Sequence, residues 1–221
     1  QDLIVALLCI GCIVTVSSVN PYSGVDVSDH VYIDGFQCLK NLGYEFAIVR
    51  CYHSYGAPDT NAPHTIANAY AANFTRVDVY MFPCPTCAVS PQNQVKEAVQ
   101  YLDSYNTTYT KFWFDIEGSQ YWYDSCSSNQ NWLSEAINTV NSLYKGCGLS
   151  TCVGIYTSES QWSPIMCNTS IFSSYPLWYA HYDNNPSFSD FVAFGGWTSP
   201  NVKQYAGTTS ICETEIDKDW Y

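Results

Sequence analysis

The sequence predicts an α/β fold, an irregular (β/α) TIM-like barrel with about eight strands and fewer helices than strands. Three observations predict it. From Ser23 onward, short β-rich runs alternate with segments of helical periodicity. The chain has 221 residues, a length that one α/β barrel commonly fills, and no linker, repeat or low-complexity block divides it. Acidic residues fall at the ends of several β-rich runs, where barrels place their sites.

Residues 1–18 read as a secretory signal peptide. Leu3 to Val16 is an apolar, small-residue and Thr run too short to span a bilayer, and Val16-Ser17-Ser18 offers a small-residue cleavage site before Val19. Gln1 and Asp2 stand where a Met and a basic region are usual, so the sequence is expected to be clipped at its start. Residues 19–221 then form the single domain.

The first strand is expected at 24–28, with Asp29 as the cap of a following helix, and the second at 46–52. Ile66, Ala69, Tyr70 and Phe74 share one helical face before a strand at 77–82. Ser90-Pro91 starts a helix whose inner face is Val95, Ala98, Val99 and Leu102, and a strand follows at 111–116. Ser128 signals the next helix, with Leu133, Ala136, Ile137, Val140 and Tyr144 inward and Gly146 and Gly148 as stops. A strand at 152–157 comes next. After Ser158 the helical periodicity thins into loops rich in Ser, Pro, Asn and Gly, between strands at 176–180, 202–205 and 215–220.

Composition narrows the class of partner. Twenty acids against eight bases give a net charge of −12, which argues against nucleic acid or an anionic membrane. The 19 Tyr, 10 Phe and 7 Trp exclude disorder and suit ring-shaped ligands as well as core packing. Eleven cysteines and three sequons, at Asn73, Asn106 and Asn168, point to export and glycosylation, and so to a secreted or lysosomal or phagosomal destination. Loss of Cys9 and Cys12 with the leader leaves an odd number, hence one thiol free or paired with another chain; a monomer is expected, with no membrane contact after cleavage. Cys84-Pro-Thr-Cys87 reads as a local disulfide rather than a zinc or redox motif.

The stretch Lys111 to Gly118, Lys-Phe-Trp-Phe-Asp-Ile-Glu-Gly, carries the chemistry. Side chains alternate along a strand, so Asp115 and Glu117 point to one face, ~6.6 Å apart along it. An arbitrary D-x-E is more often a capping Asp and a solvated Glu. In a closed barrel the first and last strands are neighbours, so Asp26, on the first, and Asp217 or Asp219, on the last, are expected to face the pair across one mouth, with Asp183 a further candidate after the sixth strand. Paired carboxylates in apolar surroundings are what glycosidic hydrolysis requires.

Five ordered motifs then carry a resemblance: Gly24-Val-Asp-Val-Ser28, Trp113-Phe-Asp-Ile-Glu-Gly118, Gly154-Ile-Tyr-Thr157, Leu177-Trp-Tyr-Ala180 and Val202-Lys-Gln-Tyr205. Together they resemble family 25 glycoside hydrolases, the Chalaropsis-type lysozymes, in particular the secreted forms of nematodes and amoeboid protists. The resemblance implies a modified β/α barrel that cleaves the β-1,4 bond between N-acetylmuramic acid and N-acetylglucosamine in bacterial peptidoglycan. It implies Glu117 as general acid, Asp115 as the acid beside it, Asp26 as the first-strand Asp and Asp217 as the final one. The family usually has Asn where Asp219 stands here, so Asp217 is the least secure assignment.

Chemistry agrees with that assignment. Burial against Trp113 and other aromatics would keep Glu117 protonated, with Asp115 ionised beside it. Tyr80, Tyr179 and Gln204 are expected to hydrogen-bond sugar hydroxyls, and Trp178 to stack on a sugar or pack in the core. No cofactor is called for. His30, His53, His64 and His181 lack zinc-site spacing, and a chitinase-type D-x-D-x-E would need an acid at Trp113. The alternative from another class is a non-catalytic glycan-binding or structural barrel derived from a lysozyme.

Overall fold

A computed structural model describes residues 23–144 and 152–221. The leader, Gly146, Cys147 and Gly148 lie outside these residues. The strands are β1 (Ser23–Val27), β2 (Phe46–His53), β3 (Ala57–Pro58), β4 (Arg76–Met81), β5 (Phe112–Asp115), β6 (Val153–Thr157), β7 (Leu177–Ala180), β8 (Val202–Ile211) and β9 (Thr214–Trp220). The helices are α1 (Ile33–Asn41), α2 (Ala62–Ala71), α3 (Pro91–Ser104), α4 (Cys126–Leu143) and α5 (Glu159–Met166). The sheet order β1-β9-β8-β7-β6-β5-β4-β2 closes through β1 pairing with β2, and the short β3 attaches to the edge of β2.

Strands β1, β2, β4, β5, β6, β7 and β8 are parallel neighbours, whereas β9 runs antiparallel to both β8 and β1. Its direction follows from its connection. Only Cys212 and Glu213, both in the left-handed region, join β8 to β9, and a turn that short permits only a hairpin. The hairpin also carries β8 to Ile211, well beyond the predicted end at Tyr205, because after an irregularity at Gly207 and Thr208 the run Thr209 to Ile211 pairs again with β9.

Alternation of side chains divides the barrel into two apolar shells. Phe46, Ile48, Tyr80, Trp113, Tyr156, Trp178 and Val202 fill the inside, and the opposite faces pack beneath the helices. Two glycines make room for that filling: a Cβ on Gly24 would lie 2.2 Å from the Phe46 ring, and one on Gly154 2.2 Å from the Trp113 ring.

One helix starts later than the sequence placed it and another escaped it. Helix α1 is capped at Tyr32, so Asp29 is an exposed loop residue and not its cap. Helix α5 carries Pro164, which removes a helical hydrogen bond and hides the periodicity. Helix α4 begins with Ser125, whose hydroxyl accepts the Ser128 N–H, so Ser128 lies inside the first turn. At α3, Ser90 caps the helix as expected.

Disulfides join Cys38 to Cys212, Cys84 to Cys87 and Cys126 to Cys167, and Cys152 is also disulfide-bonded. Cys51 is a free thiol, buried on β2. The three sequon asparagines are exposed and left-handed, each within two residues of the end of α2, α3 or α5. Asn is one of the few residues that adopts that conformation at low cost.

Candidate active site

Five carboxyl groups converge at the end of the barrel where the parallel strands finish. Asp26 on β1 lies directly across from Asp217 on β9, and Asp219 is two residues further along β9, opposite Gly24. Asp115 ends β5, and Glu117 follows it on the same inward-facing alternation as Trp113. The backbone around Glu117 is fixed at several points. Ile116 donates its N–H to the Tyr156 carbonyl at 2.8 Å and receives the Thr157 hydroxyl at 2.8 Å, while the Trp122 indole donates to the Glu117 carbonyl at 3.1 Å. Gly118 then turns the chain with φ +66°, its N–H on Gln161 Oε1 at 2.9 Å; a Cβ there would meet the Tyr121 ring at 2.7 Å.

Gln204 organises two of the acids. Its Nε2 donates to Asp26 at 2.7 Å and to Asp217 at 3.1 Å, and its Oε1 accepts the hydroxyls of Tyr156 and Tyr182, both at 2.7 Å. Asp217 also accepts the Thr208 backbone N–H from the upper hairpin. Asp26, Tyr80, Thr208 and Asp217 share the walls of a cavity of about 120 Å³. A larger cavity of about 400 Å³ lies between α1 and the hairpin tip, but none of the five acids lines it.

Burial raises the pKa of all five of these carboxyls. Burial, then the charge of Asp217, pushes Asp26 up to about 8, against the opposing hydrogen bonds from Gln204 and Asp219. Burial and the Asp217 charge raise Glu117, as a general acid needs. Asp115 rises well above the carboxylate range through burial, Glu117 and Asp26. This runs against the expectation of an ionised Asp115, and its buried Oδ1 has no hydrogen-bond partner within the protein.

The other expected ligand contacts divide by strand face. Tyr80 faces the cavity. Trp178 is buried inside the barrel with its indole on Asp219 at 2.8 Å, a core residue rather than a stacking platform. Tyr179 points outward and donates to Asp190 at 2.9 Å. Asp183 also lies away from the acids, held with Asp190 by the fully buried Lys203, each at 2.8 Å. With His181 these two acids make a cluster of metal-ligand types, already occupied by the Lys203 ammonium. Trp113 sits one interior layer below Asp115 and donates to Asp78 at 2.9 Å, so its indole serves the barrel floor. Tyr156 and Tyr182 were not foreseen. Alternation from Gly154 finds the first; nothing in the sequence marks the second, which stands in a loop.

A family model described as Lysozyme-like protein 1 matches residues 17–205. "Probable GH family 25 lysozyme 2" of Dictyostelium discoideum is 47% identical over 204 residues, 92% of each chain. "Lysozyme-like protein 5" of Caenorhabditis elegans is 35% identical over 90% of each chain. The family 25 lysozyme of Aspergillus fumigatus superposes with a TM-score of 0.71 at 21% identity, covering 89% of this chain and 92% of that one, and so shares the fold. The chain belongs to the glycoside hydrolase family 25 lysozymes.

Proposed function

We propose that this lysozyme is an N-acetylmuramidase that hydrolyses the β-1,4 bond between N-acetylmuramic acid and N-acetylglucosamine in bacterial peptidoglycan. The observation that carries the reading is Glu117, raised by burial, on the same strand face as Asp115 and at the mouth where Asp26 meets Asp217. Glu117 delivers its proton to the departing glycosidic oxygen. Asp115, on the same strand face, accepts the N–H of the substrate's 2-acetamido group. That bond lowers the Asp115 pKa on binding and orients the acetamido oxygen toward the anomeric carbon, where positive charge develops. Asp26 and Asp217, fixed by Gln204, line the mouth beside this pair. The disulfides and the exposed sequon asparagines support export to a space where bacteria are digested, outside the cell or in a phagosome or lysosome.

The test is clearing of a Gram-positive wall suspension, with Glu117→Gln as control. Wild type clears the suspension and releases reducing ends, and the variant loses about 10²- to 10⁴-fold at an unchanged melting temperature. Activity of Glu117→Gln within threefold of wild type would remove Glu117 from the acid role. No clearing by either protein would favour the non-catalytic barrel.

A further inference from the structure

Asp219 is fully buried, and the proposed mechanism assigns it nothing. It enters the barrel from β9 between its two cross-strand partners, Gly24 of β1 and Gln204 of β8. Oδ1 accepts the Trp178 indole N–H at 2.8 Å. Oδ2 is buried and finds no N–H or hydroxyl donor. Asp26, two residues beyond Gly24 on the same inward face of β1, brings its carboxyl against it. Ionised carboxylates only accept, so two of them bond to each other only with a proton between.

We infer that Asp219 is held as a neutral acid that donates its proton to Asp26, and that it thereby acts as a positioning residue for the first-strand carboxylate. The neighbours decide which oxygen keeps the proton. Each carboxyl takes one N–H donor, the Gln204 amide on Asp26 at 2.7 Å and the Trp178 indole on Asp219 at 2.8 Å, but Asp26 lines the cavity while Asp219 is fully buried, so charge is favoured on Asp26. Around Asp219 the charged groups are Asp26 and, on its own strand, Asp217, both acidic; β7 brings only the Trp178 indole, and β8 brings the Gln204 amide and the Tyr205 phenol. None of these is a cation. Burial, followed by the Asp26 charge, pushes Asp219 well above its ordinary 3.8, in agreement with the geometry. Asp26 thus receives two side-chain donors, the Gln204 amide and the Asp219 hydroxyl, which fix its plane.

The test is Asp219→Asn, which keeps the volume, an acceptor for Trp178 and an N–H for Asp26, but cannot ionise. In the unfolded chain Asp219 loses its proton above about pH 4, while the folded protein retains it, so wild type loses stability as pH rises through that window. The Asn variant has no such slope at this position. Its melting temperature should lie within about 2 °C of wild type at pH 3.5 and at least about 3 °C above it at pH 7. A melting temperature below wild type at pH 7, with no gap at pH 3.5, would show an ionised Asp219 and overturn the inference.

Activity supplies a second arm, which rests on the muramidase reading. Asp219→Asn should clear walls within threefold of wild type at acidic pH and hold that rate to higher pH. Asp219→Leu, which offers Asp26 no donor, should lose at least tenfold; a Leu variant as active as the Asn variant would show that the donor does not matter. If Leu fails to fold, the loss of the alkaline limb in Asp219→Asn still decides, since an unchanged limb would sink the positioning role. Should the wild type prove inactive on walls, the melting arm alone still tests the proton.

Discussion

Gln204 uses both amide hydrogens and both lone pairs of its oxygen inside the protein, on Asp26, Asp217, Tyr156 and Tyr182. Replacing it by Leu removes all four bonds and leaves buried phenols and carboxyls without partners, at about 1 to 3 kcal/mol for each group left unsatisfied. We therefore expect Gln204→Leu to lower the melting temperature by several degrees and wall clearing by at least tenfold. Unchanged clearing, with both quantities measured at pH 5, would show that the acids need no orienting. The sequence places Gln204 correctly, since alternation puts it on the inward face, yet it suggests a free amide for sugar hydroxyls. Saturation is invisible there because its partners come from strands β1, β6 and β9 and from the loop after β7. The same limit applies to Asp115 and Glu117. Their shared face follows from a two-residue spacing, but their protonation depends on neighbours that only the closed barrel assembles.

The β8–β9 hairpin is the element that departs most from a regular barrel, and it supplies Gln204, Asp217, Asp219 and the Thr208 N–H on Asp217. Its tip is fastened by Cys212 to Cys38 in α1, across 174 residues of chain. A loop that long gives a disulfide a large constraint on the unfolded state, and loss of a native bridge commonly costs about 2 to 5 kcal/mol. The double variant Cys38→Ser, Cys212→Ser should melt several degrees lower and clear walls more slowly, because the freed hairpin holds Asp217 less firmly. Equal melting temperatures by calorimetry would show that strand pairing alone holds the tip. The hairpin was only half legible: Val202 to Tyr205 and Glu215 to Trp220 read as strands, while the intervening Gly, Thr and Ser have the composition of a loop. The seven parallel strands were easier to read, since runs buried on both faces leave a continuous apolar signature.

At the scale of the molecule, two groups of acids set opposing pH slopes. The mouth acids Asp26, Asp115, Glu117, Asp217 and Asp219 all have raised pKa values, with burial the first cause in each. A raised carboxyl favours the fold most below its unfolded pKa, and that advantage is lost as pH rises through the folded value, which for Asp26 is about 8. Asp183 and Asp190 behave in the reverse sense: although burial raises them, hydrogen bonds led by Lys203 hold both below the usual range, so their contribution is present above pH 4 and lost on acidification. The melting temperature should therefore peak at roughly pH 4 to 5 and decline toward pH 8. Activity on walls should follow for a second reason. A net charge of −12 opposes polyanionic walls at neutral pH, and the repulsion falls near the sequence pI of about 4.4, where burial of Glu117 favours its protonated form. We expect an optimum at roughly pH 4 to 5.5 on whole walls. Added salt at pH 7 should restore part of the lost activity, because it screens exposed charge over ~8 Å at physiological strength, whereas short uncharged glycan fragments should respond less. An optimum at pH 7 to 8 without salt dependence would refute the electrostatic account, since neither the buried acids nor the acidic surface would then control the rate.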